Sequence, residues 1–285
     1  MHVLLTGASG SVGRFILDRL LRDGFTVTIL GRRPVNGFRA SFFSYDLADP
    51  DPRLPAADAL VHCALMHEPG RFRGGEGDDP ERFRALNVDG SLRLFQAARD
   101  DGCRRAVFLS SRAVYGDHRS GETLRETDRP QPDSLYGEVK LAGEQALEVL
   151  CDDRFQGAAL RATGVYGVPP GKPDHKWCAL FKAFEQGEEI APRAGTEVHG
   201  ADLAAAVVLM LTGPGSGPFG LFNVSDLLLD RRELLSLYCE ASGAAGTLPD
   251  KAEQVPGVMA TEKLEALGWS PGGRERLKAF LVSLS

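Results

Sequence analysis

A glycine-spaced turn constrains this chain more than any other feature. Thr6-Gly7-Ala8-Ser9-Gly10-Ser11-Val12-Gly13 places glycines at 7, 10 and 13. It follows the short apolar run Val3–Leu5 and opens a segment, Val12–Leu21, with helical periodicity. Strand, turn and helix in that order bring unsatisfied backbone N–H groups and the positive end of a helix dipole to one point. Glycine suits such a turn because the chain must reverse sharply and let a phosphate approach its backbone. The context predicts a pyrophosphate cradle built from Gly7, Ser9, Gly10, Ser11, Val12 and Gly13.

The same rhythm continues through the first half. Phe25–Leu30, Ala59–Cys63 and Ala106–Leu109 are short apolar runs that predict buried parallel strands. Glu81–Asp100 and Ser134–Leu150 have helical apolar spacing and predict long amphipathic helices, the second capped by Asp133 or Ser134. The alternation predicts an α/β chain: a Rossmann-like doubly wound parallel sheet with a small C-terminal substrate-binding lobe. Residues 1–165 are expected to form the NAD(P)-binding domain that carries the catalytic residues. Residues 166–285 are expected to supply the last sheet elements, interleaved with the lobe. Helical segments are read near Trp177–Glu185, Asp202–Leu211 and Arg231–Ala241, and Arg71–Pro80 reads as a charged surface loop.

Composition narrows the function. The formal net charge of −6 argues against a nucleic-acid partner, which calls for a basic face. No run of about 18 apolar residues is present, so no membrane span is expected. The start, Met1–Gly7, lacks a charged leader followed by an apolar stretch, and a cytoplasmic location is expected. Five scattered cysteines without a CxxC pair read as reduced thiols. The histidines form no ligand spacing, and no metal site is assigned.

The second strand run ends Leu30-Gly31-Arg32-Arg33. A carboxylate there would accept from a ribose 2′-hydroxyl and favour NAD. Two guanidiniums instead suit a 2′-phosphate. NADP is the preferred cofactor on this reading and NAD remains possible.

Tyr136-Gly137-Glu138-Val139-Lys140 puts a phenol and an ammonium four residues apart, on one face of a helix. A phenol titrates near pH ~10 and is a poor base at neutral pH, whereas a neighbouring cation favours its phenolate. Leu109-Ser110-Ser111-Arg112-Ala113-Val114-Tyr115-Gly116 places hydroxyls at the C-terminal end of a strand, where doubly wound sheets bind ligands.

The set TGxxGxxG, SSxxVYG, YxxxK and Arg161-Ala162-Thr163-Gly164-Val165-Tyr166-Gly167 resembles the extended short-chain dehydrogenases/reductases, and in particular the NAD-dependent epimerase/dehydratase family. Val198–Asp202 and Lys263–Pro271 are similar to that family's later segments. The resemblance implies Ser111 as the hydroxyl that holds the substrate oxygen, Tyr136 as general acid/base and Lys140 as the residue that tunes it and holds the nicotinamide ribose. It places Asp46 and Leu47 beside adenine, Cys63 and Ala64 over the cofactor, Asn87 in support, and Thr163 to Tyr166 near the carboxamide, with Thr163 and Val165 as cofactor contacts. Arg112, Tyr115 and Tyr166 are expected near the substrate, and a homodimer is expected through Glu81–Asp100 and Ser134–Leu150.

The sugar-nucleotide dehydratases of that family carry Asp-Glu after the catalytic hydroxyl. Arg112-Ala113 stands there in this chain, which argues against elimination of water. Net hydride transfer at a secondary alcohol or carbonyl of a small carbohydrate-like substrate is the preferred reading. The alternatives are a sugar or nucleotide-sugar epimerase with tightly held NAD and, behind it, a non-catalytic NADP-binding sensor.

Overall fold

Seven parallel strands carry the architecture. The computed structural model describes residues 1–68, 75–213 and 217–284. The strands are β1 (His2–Thr6), β2 (Thr26–Gly31), β3 (Ser41–Ser44), β4 (Ala59–His62), β5 (Arg105–Ser111), β7 (Gln156–Ala162) and β10 (Phe219–Val224). The two-residue β6 (Thr123–Leu124) lies outside this sheet. The spatial order is β10-β7-β5-β4-β1-β2-β3, so the chain winds outward in both directions from β1 and β4.

Period-two burial explains why the strand runs are apolar throughout. Val3, Leu5, Val107 and Leu160 face one side, packed on Ile16 and Leu20 of α1 (Ser11–Arg22) and Leu203 and Val207 of α6 (Gly200–Thr212). Leu4, Leu60, Phe108 and Ala159 face the other, packed on Leu94 and Phe95 of α3 (Gly90–Asp100) and Leu147 of α4 (Leu135–Leu150). β3 is solvent-exposed along its length and forms the sheet's edge.

The predicted helix over Glu81–Asp100 is interrupted. α2 (Pro80–Arg84) runs into a π-turn at Ala85–Asp89 before α3 begins. The cause is local: the π-turn lets Asn87 point inward, where its side chain is consumed by backbone partners described below. Ser134, rather than Asp133, caps α4 and accepts from Gly137 N at 3.3 Å, whereas Asp133 accepts from Asp117 N at 2.6 Å. Residues 69–74, which include the first part of the expected Arg71–Pro80 loop, lie outside the described residues.

After β7 the chain builds a lobe. β8 (Gly164–Tyr166), β9 (Ala194–His199) and β11 (Leu227–Asp230) form a three-stranded sheet. Trp177, with Phe181 and Phe184 of α5 (Cys178–Glu185), packs on Leu234 and Tyr238 of α7 (Arg231–Ser242) and Phe280 of α9 (Gly273–Val282). β10 returns to the main sheet in the middle of this half. β12 (Val258–Met259) pairs with β6, and Trp269, just past α8 (Glu262–Glu265), donates from Nε1 to Asp202 O at 2.9 Å. Among the described residues no helix is long and apolar enough to cross a membrane.

Candidate active site

The turn after β1 is held by contact rather than by side-chain bonds. Gly7 has φ +72°, and a β-carbon there would lie 2.6 Å from Cys63 C and 2.7 Å from Ala64 N. A β-carbon on Gly13 would collide with Gly7 O. Gly10 is the N-cap of α1, no side chain caps the helix, and its first turn carries no acidic residue. The amides at that end are therefore available to an anion. These features fit a bound dinucleotide pyrophosphate: Gly7, Ser9 and Gly10 lie in the turn, and Ser11, Val12 and Gly13 form the first turn of α1.

A chain of neutral hydrogen bonds ties the end of β1 to β4 and to α3. Thr6 Oγ1 accepts from Cys63 N and Ala64 N, both at 3.2 Å, so its proton goes to His62 Nδ1 at 2.7 Å. His62 Nε2 then donates to Ser91 Oγ at 2.9 Å, and Ser91 donates to Asn87 O at 2.5 Å. His62 is wholly buried, and burial lowers its pKa to about 3, in keeping with a neutral ring that donates at one nitrogen and accepts at the other. Asn87 accepts from Met66 N at 2.7 Å and donates to Met66 O at 2.8 Å and Phe83 O at 2.9 Å. Asn87 thus clamps the segment that follows Cys63 and Ala64, with its own side chain fully used.

Arg32 and Arg33 leave the end of β2 exposed to solvent. Arg32 Nε stands 3.9 Å from Asp46 Oδ2 across the adjoining loop, with 68% of the arginine side chain exposed. Leu47 beside it is buried against Gly90 of α3.

The three expected catalytic residues lie on adjoining elements, the C-terminal end of β5 and the start of α4. Ser111 ends β5 and its Oγ accepts from Ala113 N at 3.2 Å, which fixes the oxygen at the strand's end. Tyr136, half-buried, lies in the first turn of α4. A β-carbon on Gly137 would come 2.5 Å from Ala113 O, so only glycine lets the helix sit this close to the turn that follows Ser111. Lys140 is 4% exposed, its Nζ donates to Leu109 O at 2.7 Å and lies 5.9 Å from the Tyr136 ring centre. Burial lowers the Lys140 pKa to about 8.

Behind these residues is a network that sequence reading missed. Glu144 accepts from Ser110 Oγ and from Arg161 Nε at 2.9 Å, while its second oxygen accepts from Arg161 Nη2 at 2.7 Å. Arg161 Nη1 donates to Tyr115 Oη at 2.9 Å, and Tyr115 Oη lies 2.8 Å from Asn223 Oδ1 on β10. A signal was present: Tyr136, Lys140 and Glu144 are spaced by four on one helix, and Arg161 interrupts the apolar run of β7.

Three residues expected near substrate are placed elsewhere. Tyr115 is 1% exposed and belongs to the network just described. Arg112 is 7% exposed, with Nε on Gly257 O at 3.1 Å and Nη1 on Asp117 Oδ1 at 2.7 Å. Tyr166 is wholly buried and stacked on Trp177 in the lobe core. The polar groups of Tyr115 and Arg112 are used in internal bonds, while the Tyr166 ring is packed in the lobe core and its buried hydroxyl finds no partner among the described residues. Thr163, expected near the carboxamide, donates from its hydroxyl to Thr196 O at 2.6 Å, while Val165 lies in β8, half-buried.

Comparisons with known proteins identify the family. The family model described as the NAD dependent epimerase/dehydratase family matches residues 3–225. The chain belongs to that family. It is an enzyme of the extended short-chain dehydrogenase/reductase type. Among its relatives, dTDP-6-deoxy-L-talose 4-dehydrogenase (NAD(P)(+)) of Kitasatospora kifunensis is 30% identical over 295 residues, covering 95% of this chain and 91% of the relative. A dTDP-4-dehydrorhamnose reductase of Mycolicibacterium smegmatis is 27% identical over 221 residues, covering 74% of this chain and 61% of the reductase. The solved UDP-glucose 4-epimerase of Thermus thermophilus, in complex with NAD, superposes with a TM-score of 0.77 at 28% identity, covering 99% of this chain and 98% of the epimerase.

Proposed function

We propose that this epimerase/dehydratase-family chain transfers hydride at a secondary alcohol or carbonyl of a carbohydrate-like substrate, with nucleotide sugars as the first class to test and NADP preferred over NAD. The observation that carries the reading is Lys140, buried beneath Tyr136 and bonded to the strand that carries Ser111. An isolated structural lysine has no reason to accept that desolvation.

The nicotinamide cofactor, when bound, supplies the hydride acceptor or donor. The chain's residues do the rest. Ser111 donates its hydroxyl proton to the substrate oxygen and holds it. Tyr136 takes the proton from that oxygen in oxidation and returns it in reduction. Lys140, as ammonium, stabilises the phenolate by its charge. The turn Gly7–Gly13 holds the pyrophosphate, and Arg32 and Arg33 pair with a 2′-phosphate. Asp46 shares Arg32, so Arg33 takes the larger part of that contact. A homodimer through α3 and α4 belongs to the same reading.

The test uses purified protein with NADPH or NADH and a panel of keto sugars and nucleotide sugars. The expected result is NADPH consumption that Tyr136→Phe lowers by ~10²–10⁴-fold, and NADPH affinity that falls to the NADH level in Arg32→Ala/Arg33→Ala. Sugar interconversion with no net change in cofactor absorbance assigns epimerisation instead, the activity of the Thermus thermophilus relative. Cofactor binding without turnover on the panel overturns the enzymatic reading.

A further inference from the structure

Gly164 marks a polar pair that the proposed chemistry does not use. β7 ends at Ala162, whose register partner on β5 is Ser111. Gly164 follows two residues later, roughly 6–7 Å along an extended chain. It stands on the same C-terminal rim of the sheet as the catalytic hydroxyl. A β-carbon there would collide with Lys176 Nζ and lie 2.6 Å from Glu197 Oε2. Glu197 is the register partner of Gly164 on β9. Lys176 reaches in from the segment before α5 and pairs with both Glu197 oxygens. The ammonium and carboxylate fill space that any other residue at 164 would take.

The pair is asymmetric in exposure. The Glu197 side chain is 10% exposed and the Lys176 side chain 35%. An ion pair whose ammonium still reaches solvent contributes little to stability, because water screens the attraction. Threonine and valine flank Glu197 on β9, and an apolar pair at these positions would pack without burying a charge. An ammonium has three donors. Two are directed at Glu197, which leaves one for a ligand oxygen on the rim.

We propose that Lys176 and Glu197 form a specificity-determining subsite that reads a neutral hydroxyl of the substrate and rejects a carboxylate at the same position. A hydroxyl accepts from Lys176 and donates to Glu197, so it completes the pair without adding charge. A carboxylate can only accept, and it brings a second negative charge beside Glu197 where water is scarce. The proposal rests on the carbohydrate-like substrate class given above and specifies the substituent read on the lobe side.

The test compares two ligands that differ by that substituent, UDP-glucose and UDP-glucuronic acid, in equilibrium binding to cofactor-loaded protein. The wild type is expected to bind the neutral sugar at least ~10-fold more tightly, the scale of one charge-assisted hydrogen bond. Glu197→Gln keeps the shape and leaves Lys176 uncompensated, and it is expected to move the preference ~10-fold toward the uronate. The double variant Lys176→Met/Glu197→Gln removes both charges and is expected to bind both ligands with equal, weakened affinity. Cofactor affinity and melting temperature, measured alongside, are expected to stay within twofold and a few degrees of wild type. Unchanged ratios in folded variants overturn the subsite. Wild type that binds cofactor but neither UDP-sugar overturns the nucleotide-sugar reading alone. The same variants are then titrated with galactose and galacturonate, and there too an unchanged ratio overturns the subsite.

Discussion

Replacing Lys140 by methionine is expected to make the apoprotein more stable while abolishing turnover. Lys140 is buried, and its pKa falls from 10.5 to about 8 because burial disfavours the ammonium. At about 1.4 kcal/mol per tenfold change in the ionisation constant, holding the charged form in the fold costs about 3 kcal/mol. Methionine fills similar volume without charge but leaves Leu109 O without its 2.7 Å donor, a loss of about 1 kcal/mol. The net gain is about 2 kcal/mol at pH 7. For a chain of this size that is a rise of about 3 °C in melting temperature.

The pH dependence has a definite sign. Below pH 8 both folded and unfolded states carry the ammonium, and the wild type bears the full penalty. Between about 8 and 10.5 the folded state gives up the proton while the unfolded state keeps it, so wild-type stability rises relative to the variant. The gap in melting temperature should close across that window. Differential scanning calorimetry of both apoproteins at pH 7 and pH 10 measures it. A variant that melts at or below wild type at pH 7, or a gap unchanged at pH 10, refutes the reasoning.

Two further outcomes follow from the neighbouring residues. Glu144→Gln removes the charge that compensates Arg161, both side chains being almost fully buried, and should lower stability by about 3–5 kcal/mol in thermal unfolding; Glu144→Met/Arg161→Met should recover most of that loss. Gly13→Ala drives a β-carbon into Gly7 O and should weaken dinucleotide binding by at least ~10-fold in a fluorescence titration, with the far-ultraviolet circular dichroism unchanged.

The elements that sequence made legible share one property: a local pattern encodes them. The turn at Gly7–Gly13, strands β1, β2, β4 and β5, helix α4 and the Tyr136–Lys140 spacing are each readable within about 20 residues. β3 was not read, since Ser41–Ser44 is an exposed edge whose pairing comes only from β2. The π-turn at Asn87 was not read either, because helical periodicity tolerates one inserted residue without a compositional mark. Tyr115 and Arg112 look like site residues by proximity to Ser111 in sequence. Only the long-range partners Asn223, Arg161 and Gly257 reveal that their polar groups turn inward. Lys176 and Glu197 are 21 residues apart on different elements, and nothing in either segment announces the other.

The late return of β10 bears on synthesis as well as on structure. β7 is buried from Gly157 to Ala162, and its outer edge is completed only by Phe219–Val224, after the chain has made β8, α5, β9 and α6. A nascent chain shorter than that holds every motif proposed to bind the cofactor yet leaves an apolar strand edge unpaired. Premature termination within α6 is therefore expected to give an aggregation-prone chain rather than a smaller dinucleotide-binding protein.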